Sequence, residues 1–171
     1  GGVAKETRLS EIEGLSIWHQ GRLKQEGIEN VQNLATADIP LLVIGTPFAV
    51  GQIIDWVDQA ILMVYANEDV YPMLERAGIR CASDFITVGN DDHKLEMLVE
   101  AIKVCMPDAL INVPRLKMLH LSLQSASNLQ ATSNYRWQTS MNPERRQEAS
   151  AINPFWDAPA RRTNETQAIG K

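Results

Sequence analysis

The sequence contains few cysteines and no long apolar run, and both absences exclude classes of protein. Cys81 and Cys105 are the two cysteines among 171 residues, too few for a disulfide framework or a cysteine metal cluster. Each lies in a predicted apolar stripe, so we expect two small buried thiols in a reducing, cytoplasmic compartment. The longest apolar run, residues 60–66, is far shorter than the roughly 18 residues that a membrane span requires. We therefore expect no membrane segment in this chain.

Recognisable catalytic and metal-binding motifs are also lacking. The chain has no glycine-rich phosphate loop, no GxSxG and no HExxH sequence. The densest polar cluster, residues 91–96, brings His93 and Glu96 one helical turn apart, but a structural zinc site needs four ligands. Acidic residues at a helix N-terminus are the favoured interpretation there. His19 has Ser16 nearby but no arrangement typical of a triad, and we expect it to face water. We predict no catalytic residue, metal or cofactor, and hence a protein that is not an enzyme.

Positive charge is scarce in the first part of the chain. Residues 1–106 carry 8 Lys and Arg against 16 Asp and Glu, a net charge of −8. Residues 107–171 carry 8 against 5, a net charge of +3. The first part should therefore repel a phosphate backbone, whereas the second part should not.

Helical periodicity dominates the first two thirds of the chain. Thr46-Pro47 is typical of a helix start. The apolar residues that follow it at helical spacing are Ile53, Val57, Ala60, Ile61 and Val64. Trp56 flanks this stripe, and we predict that it lies in the core. Asp55, Asp58 and Gln59 are predicted to face water.

Two further segments show helix signals. Asp69 is a candidate cap for a helix that continues through Arg76. A helix is also predicted from about residue 114 to residue 130. The apolar residues that keep helical spacing there are Leu116, Leu119, Leu123 and Ala126.

Two stretches that lie 51 residues apart resemble each other. Residues 22–34 align with residues 73–85, and identical residues coincide at Leu23/Leu74, Gly27/Gly78 and Ile28/Ile79. Each glycine follows a helical segment, where it can adopt the left-handed conformation that closes a helix. The repeat predicts a duplicated helical unit whose copies bury their faces against each other.

The first copy resembles a helix-hairpin-helix motif. The matching positions are Ile12-Glu13-Gly14-Leu15-Ser16, Leu23, Gly27-Ile28, Val31 and Leu34-Ala35. The pattern is similar to the N-terminal domain of archaeal and eukaryotic RecA-like recombinases and to the C-terminal domain of the bacterial RNA polymerase alpha subunit. In that family, backbone N–H groups of an apolar-x-Gly-apolar-Gly hairpin hold a DNA phosphate. The resemblance implies such a role for Gly14 and Ser16.

The sequence departs from the family pattern at the positions that matter most for phosphate. Ser16 replaces the second glycine, Glu13 lies beside the expected phosphate position, and Ile17-Trp18 stands where Lys or Thr is usual. The second copy, around residues 67–69, has no hairpin glycine. The resemblance therefore favours the fold more than the family's ligand, because function belongs to the site and not to the fold.

The last part of the chain combines aromatic residues with basic pairs. Residues 131–171 are rich in polar residues and show no sustained period, so we expect them to be mostly disordered, or ordered only on a partner. The aromatic residues there are Tyr135, Trp137, Phe155 and Trp156. The basic pairs are Arg145-Arg146 and Arg161-Arg162. Such a segment suits either docking on a protein or stacking on single-stranded nucleic acid.

These observations predict an all-α protein, with a small helical repeat of helix-hairpin-helix type followed by a helix and a disordered tail. The expected divisions are a linker or expression scar (1–7), a first unit with a long helix (8–66), a degenerate second unit (67–106), an additional helix (107–130) and the tail (131–171). The natural protein is expected to continue upstream.

The favoured function is a protein-interaction or scaffold module that binds a protein partner or a second copy. Its candidate contact residues are Trp18, Tyr135, Trp137, Phe155 and Trp156. The alternative is nucleic-acid binding. Its candidate residues are Gly14, Ser16, Arg145, Arg146, Arg161 and Arg162.

Overall fold

The structure is a computed structural model and describes residues 7–141. This part of the chain is helical and contains no strand, so the predicted all-α class is confirmed. A short 3-10 turn, Leu9–Glu11, precedes eight helices. The helices are α1 Ile17–Gln25, α2 Val31–Ala35, α3 Ile39–Gly45, α4 Val50–Arg76, α5 Ala82–Gly89, α6 Asp92–Cys105, α7 Val113–Leu123 and α8 Leu129–Met141.

Helix α4 is the centre of the molecule and contacts α2, α3, α5, α6, α7 and α8. Four residues of its predicted apolar stripe, Ile53, Val57, Ala60 and Ile61, are buried. Trp56 is 2% exposed, which confirms its predicted place in the core. The helix begins at Val50 and not directly after Thr46-Pro47, because Thr46 is the C-cap of α3.

Helix α4 changes direction at Asn67, which has a φ of 59°. The Asn67 side-chain Oδ1 accepts the backbone N–H of Asp69 at 2.9 Å, as a capping residue does. The predicted helix start in this region is therefore present, but Asn67 and not Asp69 is its cap.

The two predicted repeat copies have the same turn geometry. Gly27 and Gly78 have φ values of 82° and 91°. The N–H of Ile28 bonds to the carbonyl of Leu23 at 3.0 Å, and the equivalent bond from Ile79 to Leu74 measures 2.9 Å. The next helices, α2 and α5, begin after residues that are also 51 positions apart, Asn30 and Cys81. The repeated turn is confirmed at these positions, whereas its helix-hairpin-helix type stays a prediction.

The C-terminal part of the described chain differs from the prediction. The helix expected over about residues 114–130 ends at Leu123, and α8 follows after a five-residue connection. The expected tail begins too early at residue 131, because α8 includes residues 131–141 and packs on α4 and α5. Contacts with distant helices stabilise this polar segment, and a local periodicity test does not detect such contacts.

Several other predictions can be placed in the structure. Cys81 is buried as expected, but Cys105 is exposed because it lies in the last turn of α6. Asp91 caps α6, which confirms the helix-start interpretation of residues 91–96. Between residues 7 and 141, no helix has both the length and the apolar character needed to cross a lipid bilayer.

Candidate interaction surface

The predicted hairpin connects the 3-10 turn to α1 and is anchored in the core from both sides. Ile12 and Leu15 are buried, and the N–H of Leu15 bonds to the carbonyl of Ile12 at 3.3 Å. Gly14, between them, has a φ of 78°. A Cβ added there would lie 4.0 Å from Trp56 Nε1, so the backbone conformation and not crowding requires the glycine.

Several backbone N–H groups of the hairpin are used within the protein. The N–H of Glu13 donates to Gln59 Oε1 at 3.1 Å, and that of Ser16 donates to His19 Nδ1 at 2.9 Å. The N–H of Leu15 is bonded to Ile12, as described above. The family resemblance implies that backbone N–H groups of this hairpin would bind a phosphate. Rebinding them to a ligand would first require breaking three internal hydrogen bonds.

A capping box holds the start of α1. Ser16 is the N-cap, and His19 occupies the position that usually carries Glu or Gln. The His19 ring also contacts Phe48 and Trp56, with centroid distances of 5.3 and 4.8 Å. His19 is therefore half-buried, and the prediction that it faces water is wrong. The ring packs against these aromatic residues, which lie more than 25 positions away in sequence.

The Ser16–His19 pair is better explained by structure than by catalysis. Ser16 Oγ lies 3.0 Å from His19 Nδ1, but the same nitrogen accepts the Ser16 backbone N–H. The other ring nitrogen lies 3.5 Å from the side-chain amide of Gln52. Within the described residues, neither ring nitrogen contacts a carboxylate that would orient a general base.

Large apolar side chains project from this capped helix start. Ile17 is 79% exposed and Trp18 is 85% exposed. Leu41 and Ile44 are exposed on α3. The end of α3 lies beside α1, because Arg22, one turn after Trp18, donates to the carbonyl of Gly45 at 2.5 Å. We call Ile17 and Trp18 the hairpin patch.

Two ion pairs lie near the hairpin patch. Arg80 forms an ion pair with Glu13 of the hairpin. Arg22 binds Glu26 at 2.8 Å on α1. Both pairs are partly exposed, so they contribute little to stability.

A second group of residues lies beneath α8 and was missed by the sequence analysis. Arg136 of α8 binds Asp55 and Asp58 of α4, each at 2.7 Å. The backbone N–H of Ser83 donates to Asp58 at 2.9 Å, and its hydroxyl donates to the same carboxylate. Cys81 donates its thiol hydrogen to Asp84 at 2.9 Å. We call Asp55, Asp58, Asp84 and Arg136 the ionic cluster.

The ionic cluster corrects a prediction about α4. Asp58 is 0% exposed and Gln59 is also buried, although both were expected to face water. Periodicity assigned them to the polar face correctly, but α5, α8 and the hairpin cover that face. Asp58 and Gln59 therefore bind polar groups of these segments. The one feature of the sequence that could have indicated this burial is Arg136, which lies in the segment expected to be mostly disordered.

Burial changes the acid–base properties of the ionic cluster. Burial raises the pKa of Asp55 to about 6, against the opposing effect of Arg136. Burial also raises the pKa of the Cys81 thiol well above its usual range, so the thiol stays protonated at neutral pH. A protonated thiol is a poor nucleophile, which argues against a reactive cysteine at this position.

The remaining predicted site residues are distributed over the molecule. Tyr135 is half-buried, and its hydroxyl would lie 3.1 Å from a Cβ added at Gly51. Trp137 is 65% exposed on α8. The predicted residues that lie outside the described part of the chain are Arg145, Arg146, Phe155, Trp156, Arg161 and Arg162.

Two open clefts lie on the surface of the described residues. One of about 460 Å³ lies beside the Asn67 break, and one of about 670 Å³ lies beside Cys105 at the end of α6. In the part of the chain that the structure describes, no three His, Cys, Asp or Glu side chains are grouped so that they could hold a metal ion.

Comparison with protein-family models, with curated proteins and with solved structures gives no match for this chain.

Proposed function

We propose that this chain is a non-enzymatic helical interaction or scaffold module, and that the hairpin patch is its contact surface. The observation that carries the proposal is the exposure of Ile17 and Trp18 on a helix start held by a capping box. Aromatic anchors of this kind dominate the binding energy of many protein interfaces. A rigid backbone beneath them reduces the ordering cost of association.

The surroundings of the patch favour a protein partner over nucleic acid. The hairpin N–H groups at residues 13, 15 and 16 are bonded internally, and Glu13 is beside them. Residues 1–106, which include the patch, carry a net charge of −8, and this charge repels a phosphate backbone. An apolar surface, on another protein or on a second copy, is the chemistry that the patch fits.

Sedimentation equilibrium of the wild type, Trp18→Ser and Met118→Ser tests this proposal. Met118 is an exposed apolar residue on α7 and serves as the matched control. We expect reversible self-association that Trp18→Ser weakens at least about tenfold, as replacement of an interface hot spot does. Met118→Ser should have no such effect. Equal weakening by both substitutions would contradict the assignment of the hairpin patch.

A strictly monomeric wild type would rule out a second copy as the partner. A photoreactive amino acid at position 18, introduced in cells that express the natural protein, then tests for another partner. A specific cross-link at position 18 but not at position 118 supports the proposal. The absence of cross-links at both positions overturns it.

Nucleic-acid binding is the second candidate, favoured by the pairs Arg145-Arg146 and Arg161-Arg162 outside the described residues. Salt-sensitive DNA binding by the full chain, lost when these four arginines become alanine, would support it.

A further inference from the structure

Helix α8 makes several polar contacts with the rest of the molecule. Leu129 is its one buried large apolar side chain among the residues up to 139. Thr132 and Thr139 are buried as well, and each hydroxyl bonds to a carbonyl of α8 itself. Apolar burial therefore provides only part of the attachment of α8 to the rest of the molecule.

Directional polar contacts attach α8 at two places. At its start, the Asn128 side-chain amide donates to the carbonyls of Ala35 and Ala37, at 3.0 and 2.8 Å. Two turns later, Arg136 binds the carboxylates of Asp55 and Asp58. An arginine fork that reaches two carboxylates selects both the position and the orientation of a helix.

The acidic side of this contact is held in place without α8. Ser83 binds Asp58 through its N–H and its hydroxyl, and Cys81 binds Asp84. Three carboxylates thus surround one guanidinium, and Asp58 is 0% exposed. A buried carboxylate that loses its cation is strongly unfavourable. The surface formed by Gly51, Asp55, Asp58 and Ser83, here called the α8 groove, therefore presents carboxylates that are already positioned to accept an arginine.

The connection between α7 and α8 is suited to a change of conformation. Successive i→i−3 hydrogen bonds run through it, from Gln124 to Leu121, from Ser125 to Ser122 and from Ala126 to Leu123. Bonds of this i→i−3 type are common in the short turns that connect helices. The helical spacing of apolar residues also continues through the break, from Leu116 to Ala126. Local sequence is thus compatible with one continuous helix, which would carry α8 away from the groove.

We propose that the α8 groove is a receptor for an arginine-bearing helix, which α8 fills within its own chain and the α8 of a second copy can fill between chains. A second copy is the natural occupant because it presents the same Asn128, Tyr135 and Arg136 at the same spacing. Reciprocal exchange of α8 would join two copies while preserving every contact of the ionic cluster. This inference is independent of the hairpin patch.

A labelled peptide of residues 127–141 tests the receptor directly. It is titrated into the full wild-type chain and into the full Arg136→Gln chain, whose own α8 competes less well. We expect saturable binding that is at least about tenfold tighter for the Arg136→Gln chain. A peptide that carries the same Arg136→Gln change should bind at least about tenfold more weakly. Trp18→Ser in the protein should leave the titration unchanged, which separates this result from the proposed function.

Failure of the wild-type peptide to bind a folded Arg136→Gln chain would overturn the proposal. If that variant does not fold, hydrogen exchange of the wild-type chain decides instead. Exchange of α8 amides through a local opening, while residues 53–62 of α4 remain protected, supports a detachable α8. Exchange of both only through global unfolding would show that α8 is a permanent part of the core.

Discussion

Single backbone positions set the ends of the repeated helices. Gly78 adopts a φ of 91° after α4, and Gly27 does so after α1. An L-residue pays about 1–2 kcal/mol to adopt the left-handed conformation. Gly21, by contrast, lies inside α1 with no atom within 4 Å of an added Cβ. The two kinds of glycine should therefore respond in opposite ways to the same substitution.

We expect Gly78→Ala to lower the free energy of unfolding by about 1–2 kcal/mol. The control, Gly21→Ala, should raise it by up to about 1 kcal/mol, because alanine is the better helix former. Urea denaturation measures both through the shift in midpoint at constant m. A destabilising Gly21→Ala, or a neutral Gly78→Ala, would contradict the assigned backbone conformations.

At the scale of elements, helices α5 and α7 meet at a contact that depends on a missing side chain. A Cβ added at Gly89 would overlap the ring of His120. The same ring lies 6.4 Å from the ring of Phe85, so it has little freedom to move toward the core. The absence of a side chain at Gly89 therefore allows α7 to approach the end of α5.

Gly89→Ala should destabilise the protein by about 1–3 kcal/mol, the usual cost of overpacking. His120→Ala should remove the overlap, so the double variant should lose less stability than the sum of the two single variants. Chemical denaturation of the four proteins gives this coupling free energy. Strict additivity would show that the two residues do not meet as the structure indicates.

For the whole molecule, the ionic cluster links stability to pH. The pKa of Asp55 is raised by burial from 3.8 to about 6. Charged groups facing it are Arg136 on α8, Asp58 on α4 and Asp84 on α5. The folded state then binds more protons than the unfolded state between pH 4 and pH 6. The contribution of Asp55 to stability is therefore fully present below about pH 4 and falls as pH rises to 6.

Replacing Asp55 with Asn should remove this part of the pH dependence. The difference in unfolding free energy between wild type and Asp55→Asn should change by up to about 3 kcal/mol between pH 4 and pH 7, with the wild type losing more as pH rises. Denaturation at a series of pH values measures the difference, and Asp92→Asn at an exposed ion pair is the control. A pH-independent difference would contradict a raised pKa for Asp55.

The sequence by itself determined the features that depend on neighbours along the chain. Apolar spacing located the buried stripe of α4 and the place of Trp56, and Gly27 and Gly78 located the ends of the repeated helices. Residues 91–96 were predicted to be a helix N-terminus, and Asp91 caps α6 there through N–H groups two and three residues away. These signals are local, so they are visible in a one-dimensional pattern.

Only the tertiary structure decided what covers the polar face of α4. Asp58 and Gln59 have the pattern of exposed residues, yet they are buried because Ser83, Arg136 and the hairpin supply hydrogen-bond partners from distant segments. The same contacts make residues 131–141 part of a helix, where composition predicted the start of a mostly disordered tail. A buried polar group is stable only if its partners arrive in three dimensions, and their distance along the chain leaves no periodic signal.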